Sequence, residues 1–224
     1  MRIGVVGSGN MGRSLGVLLA ELGHEVLFGA RCEEQARAAA MLAGELASHG
    51  TNSEAARFGE IIVWTVRDVS AREVVPDLSL LENKPVIDMS NLPSSLEARS
   101  MVRGSMAEQL QSEMAQAHVV KAFNNFSIEM FELAPTPLDQ YNVSVFLASD
   151  HERAKSVVAG LARSMGCVPV DCGGLANARI LENLGDLVRI LIRQGHPLTV
   201  ALSVKDLDSA AKPRLGRREP SRLS

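Results

Sequence analysis

The chain has 224 residues, of which 46% are hydrophobic and only 4% aromatic, so it can bury a sizeable core built from aliphatic side chains. A formal net charge of −3 gives no reason to expect nucleic acid as a partner, and three cysteines without paired spacing predict neither disulfides nor a metal site. No apolar run approaches the ~18 residues of a membrane span, and the N-terminal run is too short for a signal peptide, so we expect a cytoplasmic protein.

Short apolar runs alternate with helical patterns along the first 126 residues. The predicted strands cover residues 2–6, 24–31, 60–66, 84–90 and 117–123, with a helix over 11–22 and an alanine-rich helix over 33–47. Continuous apolar strands separated by helices are typical of a doubly wound parallel sheet. Ser105 and Glu108 have the spacing of a capping box, which predicts a helix before the last of these strands.

The pattern changes after Phe126. Residues 142–149 alternate like an edge strand, and Ser149 with Glu152 predicts a second capping box at the start of a helix that stops at Gly166. Residues 167–172 predict a short strand, in which Pro169 favours an edge position. A last helix over 176–194 has a broad apolar face, which must pack against the rest of the fold or against a second subunit.

Three glycines, Gly7, Gly9 and Gly12, follow the first predicted strand and open the first predicted helix. Glycine costs about 0.5–1 kcal/mol in an element interior, so this turn must need bare backbone. In a βαβ unit such spacing permits a tight turn, lets backbone amides approach a pyrophosphate and lets the helix pack on the strand. We therefore predict a bound dinucleotide whose phosphates lie at the positive N-terminus of the helix.

The end of the second predicted strand indicates which dinucleotide is bound. NAD-binding units usually place an acid there, which accepts a hydrogen bond from the ribose 2′-hydroxyl, but this chain has Ala30 and Arg31. Arg31 cannot accept a hydrogen bond, whereas its guanidinium can clamp a 2′-phosphate. Glu33 and Glu34 weigh against an anionic ligand, yet both fall at a helix start, where acids are favoured in any case. The sequence thus predicts NADP as the cofactor.

Four segments carry a resemblance to a known family: GSGNMG (7–12), GARCEE (29–34), IDMSN (87–91) and, above all, VVKAFNNF (119–126). In this order and at this spacing the chain resembles the F420-dependent NADP reductases over residues 1–197. It is also similar to the cytoplasmic oxidoreductase domain of the STEAP metalloreductases. The resemblance implies hydride transfer between NADP and a small redox carrier, either the deazaflavin coenzyme F420 or a flavin.

The resemblance also implies which residues bind the cofactor. It places Ser8, Asn10 and Met11 in the phosphate loop, Thr65 and Val66 at the adenosine, and Asn91 with the backbone of Ala122, Phe123 and Asn124 at the nicotinamide. Ala30, Cys32 and Gln35 depart from the family pattern at the 2′-phosphate, so NADP selectivity is expected to be modest. Asn125 stands where the family usually has Thr.

The predicted architecture is a Rossmann domain with a doubly wound parallel sheet over residues 1–126, followed by a small α/β portion over 127–206. This second portion ends in the long apolar helix and is expected to supply the acceptor pocket and a homodimer interface through residues 176–194. A basic rim for an anionic acceptor is expected from Arg179, Arg189 and Arg193 on that helix. The tail over 207–224 is expected to be disordered.

Hydride transfer between two ring carriers depends on positioning, so we assign no catalytic residue from the sequence. The polar candidates are Lys121, Asn124 and His196; a strand-end lysine that snorkels to solvent is the alternative for Lys121, and a helix cap is favoured for His196. Turn and cap roles are favoured for Asp68, Asp88 and Asp171. Two other functions stay open: a reductase of a small keto or imine substrate, and a non-catalytic NADPH-binding redox sensor.

Overall fold

The computed structural model describes residues 1–133 and 136–205. The tail predicted to be disordered, 207–224, lies outside the described residues.

The core of the fold is a parallel sheet of six strands in the order β3-β2-β1-β4-β5-β6. The strands are β1 (Arg2–Val6), β2 (Glu25–Gly29), β3 (Ala47–Gly50), β4 (Ile61–Trp64), β5 (Pro85–Asp88) and β6 (His118–Lys121). This is the strand order of the Rossmann fold, so the predicted fold class is confirmed. The order reverses between β1 and β4, which opens a crevice at the carboxyl ends of these two strands.

Helices cover both faces of the sheet and fill the C-terminal portion. They are α1 (Asn10–Glu21), α2 (Glu33–Ala43), α3 (Asn52–Phe58), α4 (Ala71–Val74), α5 (Leu96–Met101), α6 (Met106–Glu113), α7 (Ile128–Leu133), α8 (Thr136–Gln140), α9 (Glu152–Ser164) and α10 (Ala178–Arg193). The predicted capping box at α6 is confirmed: Ser105 accepts from the Glu108 amide, and the Glu108 carboxylate accepts from the Ser105 amide. None of the helices in the described residues is both long and apolar enough to cross a membrane.

The prediction of one helix over residues 33–47 is wrong. The helix ends at Ala43 because Gly44 adopts a positive φ of 83°. Strand β3 follows, then α3, whose N-cap Thr51 forms a capping box with Glu54. Because β3 lies at the edge of the sheet and is largely exposed, its residues lack the apolar run that marks the inner strands.

The C-terminal portion contains a second, two-stranded parallel sheet of β7 (Ser144–Leu147) and β8 (Val168–Asp171), connected by α9. The predicted capping box at Ser149 is wrong. Ser149 is buried, its hydroxyl donates to the carbonyl of Val119 on β6 (2.7 Å), and His151 is the N-cap residue of α9 without a side-chain cap. The predicted edge position of Pro169 is confirmed, since within residues 1–133 and 136–205 β8 pairs with β7 alone.

One contiguous apolar core joins the two portions of the chain. Its buried members include Val5 and Leu15 from β1 and α1, together with Val145 and Val158 from β7 and α9. The division of the chain into a Rossmann domain that ends at residue 126 and a separate C-terminal portion therefore stays a prediction.

Candidate functional site

Two adjoining cavities open at the carboxyl ends of the strands, and Gly9 and Thr65 line both of them. One cavity, of about 570 Å³, lies beside the end of β2 and is called the β2 cavity. The other, of about 500 Å³, is closed on one side by α10 and is called the α10 cavity. This is the crevice in which open α/β sheets bind their ligands.

The glycine loop between β1 and α1 lies at the junction of the two cavities. Gly7 has a φ of 96°, and a Cβ on Gly12 would lie 2.1 Å from the Gly7 carbonyl oxygen, so both glycines are required for the fold itself. A Cβ on Gly9 would meet no atom within 4 Å. Gly9 is therefore the glycine that the packing does not explain, and it faces open space at the positive end of α1.

The predicted phosphate-loop and adenosine residues meet around this loop. Asn10 and Met11 line the α10 cavity, whereas Ser8 and Val66 line the β2 cavity. The Ser8 hydroxyl is engaged, because it donates to the Gly29 carbonyl (2.9 Å). The Thr65 hydroxyl donates to the Gly7 carbonyl (2.6 Å) and so fixes the turn.

The β2 cavity contains Arg31, which is exposed at the end of β2 as the sequence predicts. Cys32 and Gln35 line the same cavity, and the Cys32 thiol donates to Glu34 (2.8 Å), which lowers the pKa of that carboxyl. Sequence reasoning missed Asn52 here, whose buried Oδ1 has no hydrogen-bond partner among the described residues. It also missed Glu73, an acid that lines the same cavity as Arg31.

The α10 cavity is walled by two asparagines that tie the sheet to α10. The Asn91 Nδ2 donates to the Asn124 carbonyl (2.6 Å), and the Asn124 Nδ2 donates to Asn91 Oδ1 (2.8 Å) and to the Leu181 carbonyl (2.7 Å). Gly185 leaves room for this pair, since a Cβ there would lie 2.3 Å from Asn91 Oδ1. The apolar part of the wall comes from Met11, Met89, Phe126, Val188 and Ile192.

Ala122 and Phe123 are not among the residues that line the α10 cavity, and their side chains are buried in the core behind it, so the contact of their backbone with the nicotinamide stays a prediction. The Ala122 amide donates to the Asp88 carbonyl (3.1 Å), and Phe123 has a left-handed φ of 58°. Phe123 packs against Phe126 and Phe131, with ring centroids 6.0 and 6.3 Å away. These contacts hold the loop that presents Asn124 and Asn125 to the cavity.

Lys121 belongs to a fully buried charge cluster and does not snorkel to solvent. Its Nζ lies 2.8 Å from Asp88 Oδ2 and 3.0 Å from Glu182 Oε1, and it also donates to the Ser90 carbonyl. Glu182 in turn accepts from the Met106 amide at the start of α6 (2.9 Å). Burial raises the pKa of Glu182, and the Lys121 charge partly offsets that rise. The cluster therefore fixes α10 and α6 to the sheet, and Lys121 lines neither cavity.

The predicted basic rim is only partly present. Arg189 lines the α10 cavity and pairs with Asp186 (3.0 Å), whereas Arg179 is held elsewhere by the Gly104 carbonyl and Arg193 is outside the cavity wall. Arg67, which sequence reasoning missed although it follows Thr65 and Val66 at the end of β4, also lines the cavity.

The remaining polar candidates have structural roles. His196 follows Gly195 (φ 96°), and its amide caps α10 by donating to the Leu191 carbonyl (3.1 Å), which confirms the predicted cap. Asp88 and Asp171 accept from nearby backbone amides in turns, as predicted. Among the residues that the structure describes, no cluster of histidine, cysteine and carboxylate side chains has the geometry of a metal site.

Comparison with known proteins places the chain in a family. Residues 2–92 match the family described as NADP oxidoreductase coenzyme F420-dependent. The F420-dependent NADP reductase of Methanothermobacter thermautotrophicus is 32% identical over 206 residues, covering 84% of this chain and 88% of that protein. The chain belongs to the F420-dependent NADP reductase family. It is thus a member of a family of NADP-dependent oxidoreductases, and the predicted family is confirmed.

Two further relatives of this reductase-family chain extend the comparison. The metalloreductase STEAP3 of Rattus norvegicus is 32% identical over 203 residues, which cover 91% of this chain but only 40% of that longer protein. A crystal structure of a candidate F420-dependent NADP reductase from Arthrobacter sp. FB24 superposes with a TM-score of 0.78 at 24% identity, covering 92% of this chain and 100% of that one. This likeness supports the fold.

Proposed function

We propose that this protein transfers a hydride between NADP(H) and a planar ring carrier, either coenzyme F420 or a flavin. The observation that carries the proposal is the pair of cavities that meet at Gly9, at the positive end of α1. The β2 cavity, with Arg31 at its mouth, suits the adenosine end of NADP. The α10 cavity, with its apolar wall and asparagines, suits two stacked rings and is expected to take the nicotinamide and the acceptor.

The residues that would hold NADP follow from this placement. The first amides of α1, directly after Gly9, have no side-chain cap among the described residues and are donors that suit a pyrophosphate. Arg31 would bind the 2′-phosphate, and Val66 would border the adenosine. When bound, the nicotinamide supplies the hydride chemistry, and the chain itself contributes positioning.

Catalysis by this arrangement is orientation in a cavity that excludes water. Met11 on α1, Met89 directly after β5, and Val188 and Ile192 on α10 form an apolar wall that would keep water from the reacting rings. Fixing both rings at reacting distance supplies most of the rate enhancement that hydride transfer requires. Asn91 and Asn124 hold the cavity to its shape and need not transfer a proton.

Turnover with different acceptors tests this proposal. Purified protein is mixed with NADPH and, separately, oxidised F420, FMN, FAD, an imine and a keto acid, while absorbance at 340 nm is followed. Oxidation of NADPH by a ring acceptor supports the proposal. Turnover with only the imine or keto acid indicates the small-substrate reductase, and tight NADPH binding without any turnover indicates the redox sensor.

A pair of glycine variants tests the proposed phosphate site. Gly9→Ala adds a methyl group where the fold leaves open space, so we expect an unchanged melting temperature but at least tenfold weaker NADPH binding. Gly12→Ala, whose Cβ would clash with the backbone, should lower both the melting temperature and the affinity for NADPH. Wild-type NADPH affinity in Gly9→Ala contradicts the proposed site.

Arg31→Ala tests the cofactor preference. Loss of a charge-assisted hydrogen bond, about 1.5–3 kcal/mol, should weaken NADPH binding by about ten- to a hundredfold and leave NADH binding nearly unchanged. Titration of protein fluorescence with each nucleotide measures both constants. Equal losses for NADPH and NADH refute the role of Arg31.

We further propose a homodimer through the outer face of α10. Ile180, Leu184, Leu187 and Leu191 have the spacing of a coiled-coil seam, and Ile180 and Leu187 are 66% and 43% exposed. Light scattering should show a dimer that Leu187→Lys dissociates. Arg193→Ala, at an exposed position away from this seam and outside the cavity wall, should leave the dimer intact; a monomeric wild-type protein refutes this interface.

A further inference from the structure

Asn125 is a buried carboxamide on the wall of the α10 cavity that no described part of the chain satisfies. The residue is 3% exposed, and neither its Nδ2 nor its Oδ1 has a hydrogen-bond partner among the described residues. A buried polar group without a partner costs about 1–3 kcal/mol, so each such group in a native fold requires an explanation.

The two neighbouring asparagines differ from Asn125, because each of them has at least one hydrogen-bond partner. Asn91 uses both ends of its amide, and Asn124 donates to the Leu181 carbonyl, which can only accept and therefore fixes how the Asn124 amide is turned. Asn124 Oδ1 is left as an additional acceptor without a partner. Asn125 alone among these three offers a donor and an acceptor side by side.

The loop that carries Asn125 cannot move its amide into solvent, where water would satisfy its hydrogen bonds. Phe123, two residues earlier, is held in the left-handed region at φ 58° although it is not glycine, and it is buried with Phe126 and Phe131. Strain of this kind persists where the surrounding packing over-determines a conformation, and it clusters at ligand sites. The packing therefore keeps the Asn125 amide on the cavity wall.

We propose that Asn125 binds the amide edge of a ring ligand, donating to its carbonyl oxygen and accepting from the adjacent N–H. Two ligands of the proposed reaction carry such an edge: the pyrimidinedione of F420 or a flavin, and the carboxamide of the nicotinamide. This inference rests on the proposed function, because it takes the α10 cavity as the place where the rings meet. Asn125 thereby selects ligands with a paired donor and acceptor over apolar rings of equal size.

Asn125→Leu tests the proposal, because it keeps the volume and removes both polar groups. Since the wild-type amide is unsatisfied, the melting temperature of the ligand-free protein should stay the same or rise. Loss of two hydrogen bonds should weaken binding of the recognised ligand by about ten- to a hundredfold. The readouts are the NADPH dissociation constant and the KM of the ring acceptor that the wild-type protein turns over.

The two readouts distinguish the two sources of the amide edge. A loss confined to the acceptor KM assigns the pyrimidinedione, and a loss confined to NADPH affinity assigns the carboxamide. In the first case, wild-type protein should also discriminate lumiflavin from N3-methyl-lumiflavin, and Asn125→Leu should not. Unchanged values for both ligands in a folded variant overturn the proposal.

Failure of the proposed function would be recognised separately. If no ring acceptor oxidises NADPH in the wild-type protein, the NADPH constant alone decides the role of Asn125: a tenfold loss supports it and an unchanged constant overturns it. Asn125→Asp adds a check that a structural role does not predict. Binding by this variant should recover as the pH falls and the carboxyl group regains a donor.

Discussion

Replacing Lys121 with methionine should destabilise the fold strongly and make its stability more sensitive to pH. Lys121 is fully buried between the carboxylates of Asp88 and Glu182, and the exposed fraction of the three side chains is 0–2%. Methionine keeps the volume but leaves two carboxylates facing each other in the core. Removing one partner of a buried ion pair typically costs about 3–5 kcal/mol, so Lys121→Met should lower the free energy of unfolding by that amount.

The raised pKa of Glu182 determines the direction in which pH changes the stability of Lys121→Met. Burial already raises the pKa of Glu182, so its contribution to stability is present at low pH and is lost as the pH rises through the folded-state pKa. Lys121 opposes that rise, and without it the pKa of Glu182 increases further. The variant should therefore lose more stability at pH 8 than at pH 5.5.

Urea unfolding at both pH values measures these effects, and Trp64, the single tryptophan, provides a buried fluorescent probe on β4. Glu182→Gln is the control: it keeps an acceptor for the Met106 amide and leaves Lys121 paired with Asp88, so it should cost only about 1–2 kcal/mol. Its stability should also change less between the two pH values than that of the wild type. A loss below about 1 kcal/mol in Lys121→Met, or equal losses at both pH values, refutes the reasoning.

Three further predictions concern the cavity wall, a histidine pair and the thiols. Gly185→Ala should displace the Asn91 amide from the added Cβ and lower kcat/KM by about ten- to a hundredfold in the absorbance assay, and an unchanged kcat/KM contradicts this. The rings of His118 and His151 stack with their centroids 4.0 Å apart. Burial and, to a smaller extent, the charge of His151 lower the pKa of His118, so the folded protein loses stability as the pH falls below about 6.5. His118→Gln should shrink the difference in melting temperature between pH 7.5 and 5.5, and an unchanged difference excludes His118 as its source. Burial raises the pKa of Cys167 to about 12, so a thiol reagent at pH 8 should modify exposed Cys32 and spare Cys167 in the native protein; equal rates contradict this.

The inner strands were predictable because a strand that is buried on both faces has apolar residues at almost every position. Strands β1 and β4 are buried along almost their whole length, so each appears as a continuous apolar run. Strand β3 has one exposed edge and carries Ser48 and His49, so no such run marks it. Edge strands are formed by pairing with a neighbour, which a local pattern does not record.

Capping boxes show that tertiary contacts also limit predictions from short motifs. At Ser105 both partners of the box lie within four residues, and the prediction holds. At Ser149 the hydroxyl is taken by the carbonyl of Val119, a tertiary partner on another strand. A local motif is reliable only where no distant group competes for it.

The residues of the candidate site also differ in how far their positions could be predicted from local sequence. The placement of the glycine loop, Arg31 and Asn91 around the cavities was predictable because all three follow strand ends, where ligand sites of this fold lie; their roles as ligands stay a prediction. The burial of Lys121 depends on Glu182, which comes from a helix far along the chain, so its environment could not be foreseen. The contribution of Val188, Arg189 and Ile192 on α10 likewise depends on where that helix docks.

The two outermost strands of the fold leave little for another chain to hydrogen-bond. Val168 on β8 and Cys172, directly after β8, direct their amides inward to the carbonyls of Val143 and Leu147. The alternate position, Pro169, therefore faces outward and has no N–H to offer. The opposite border, β3, is only four residues long. Strand addition, which is a common route to aggregation of sheet proteins, is thereby discouraged at both borders.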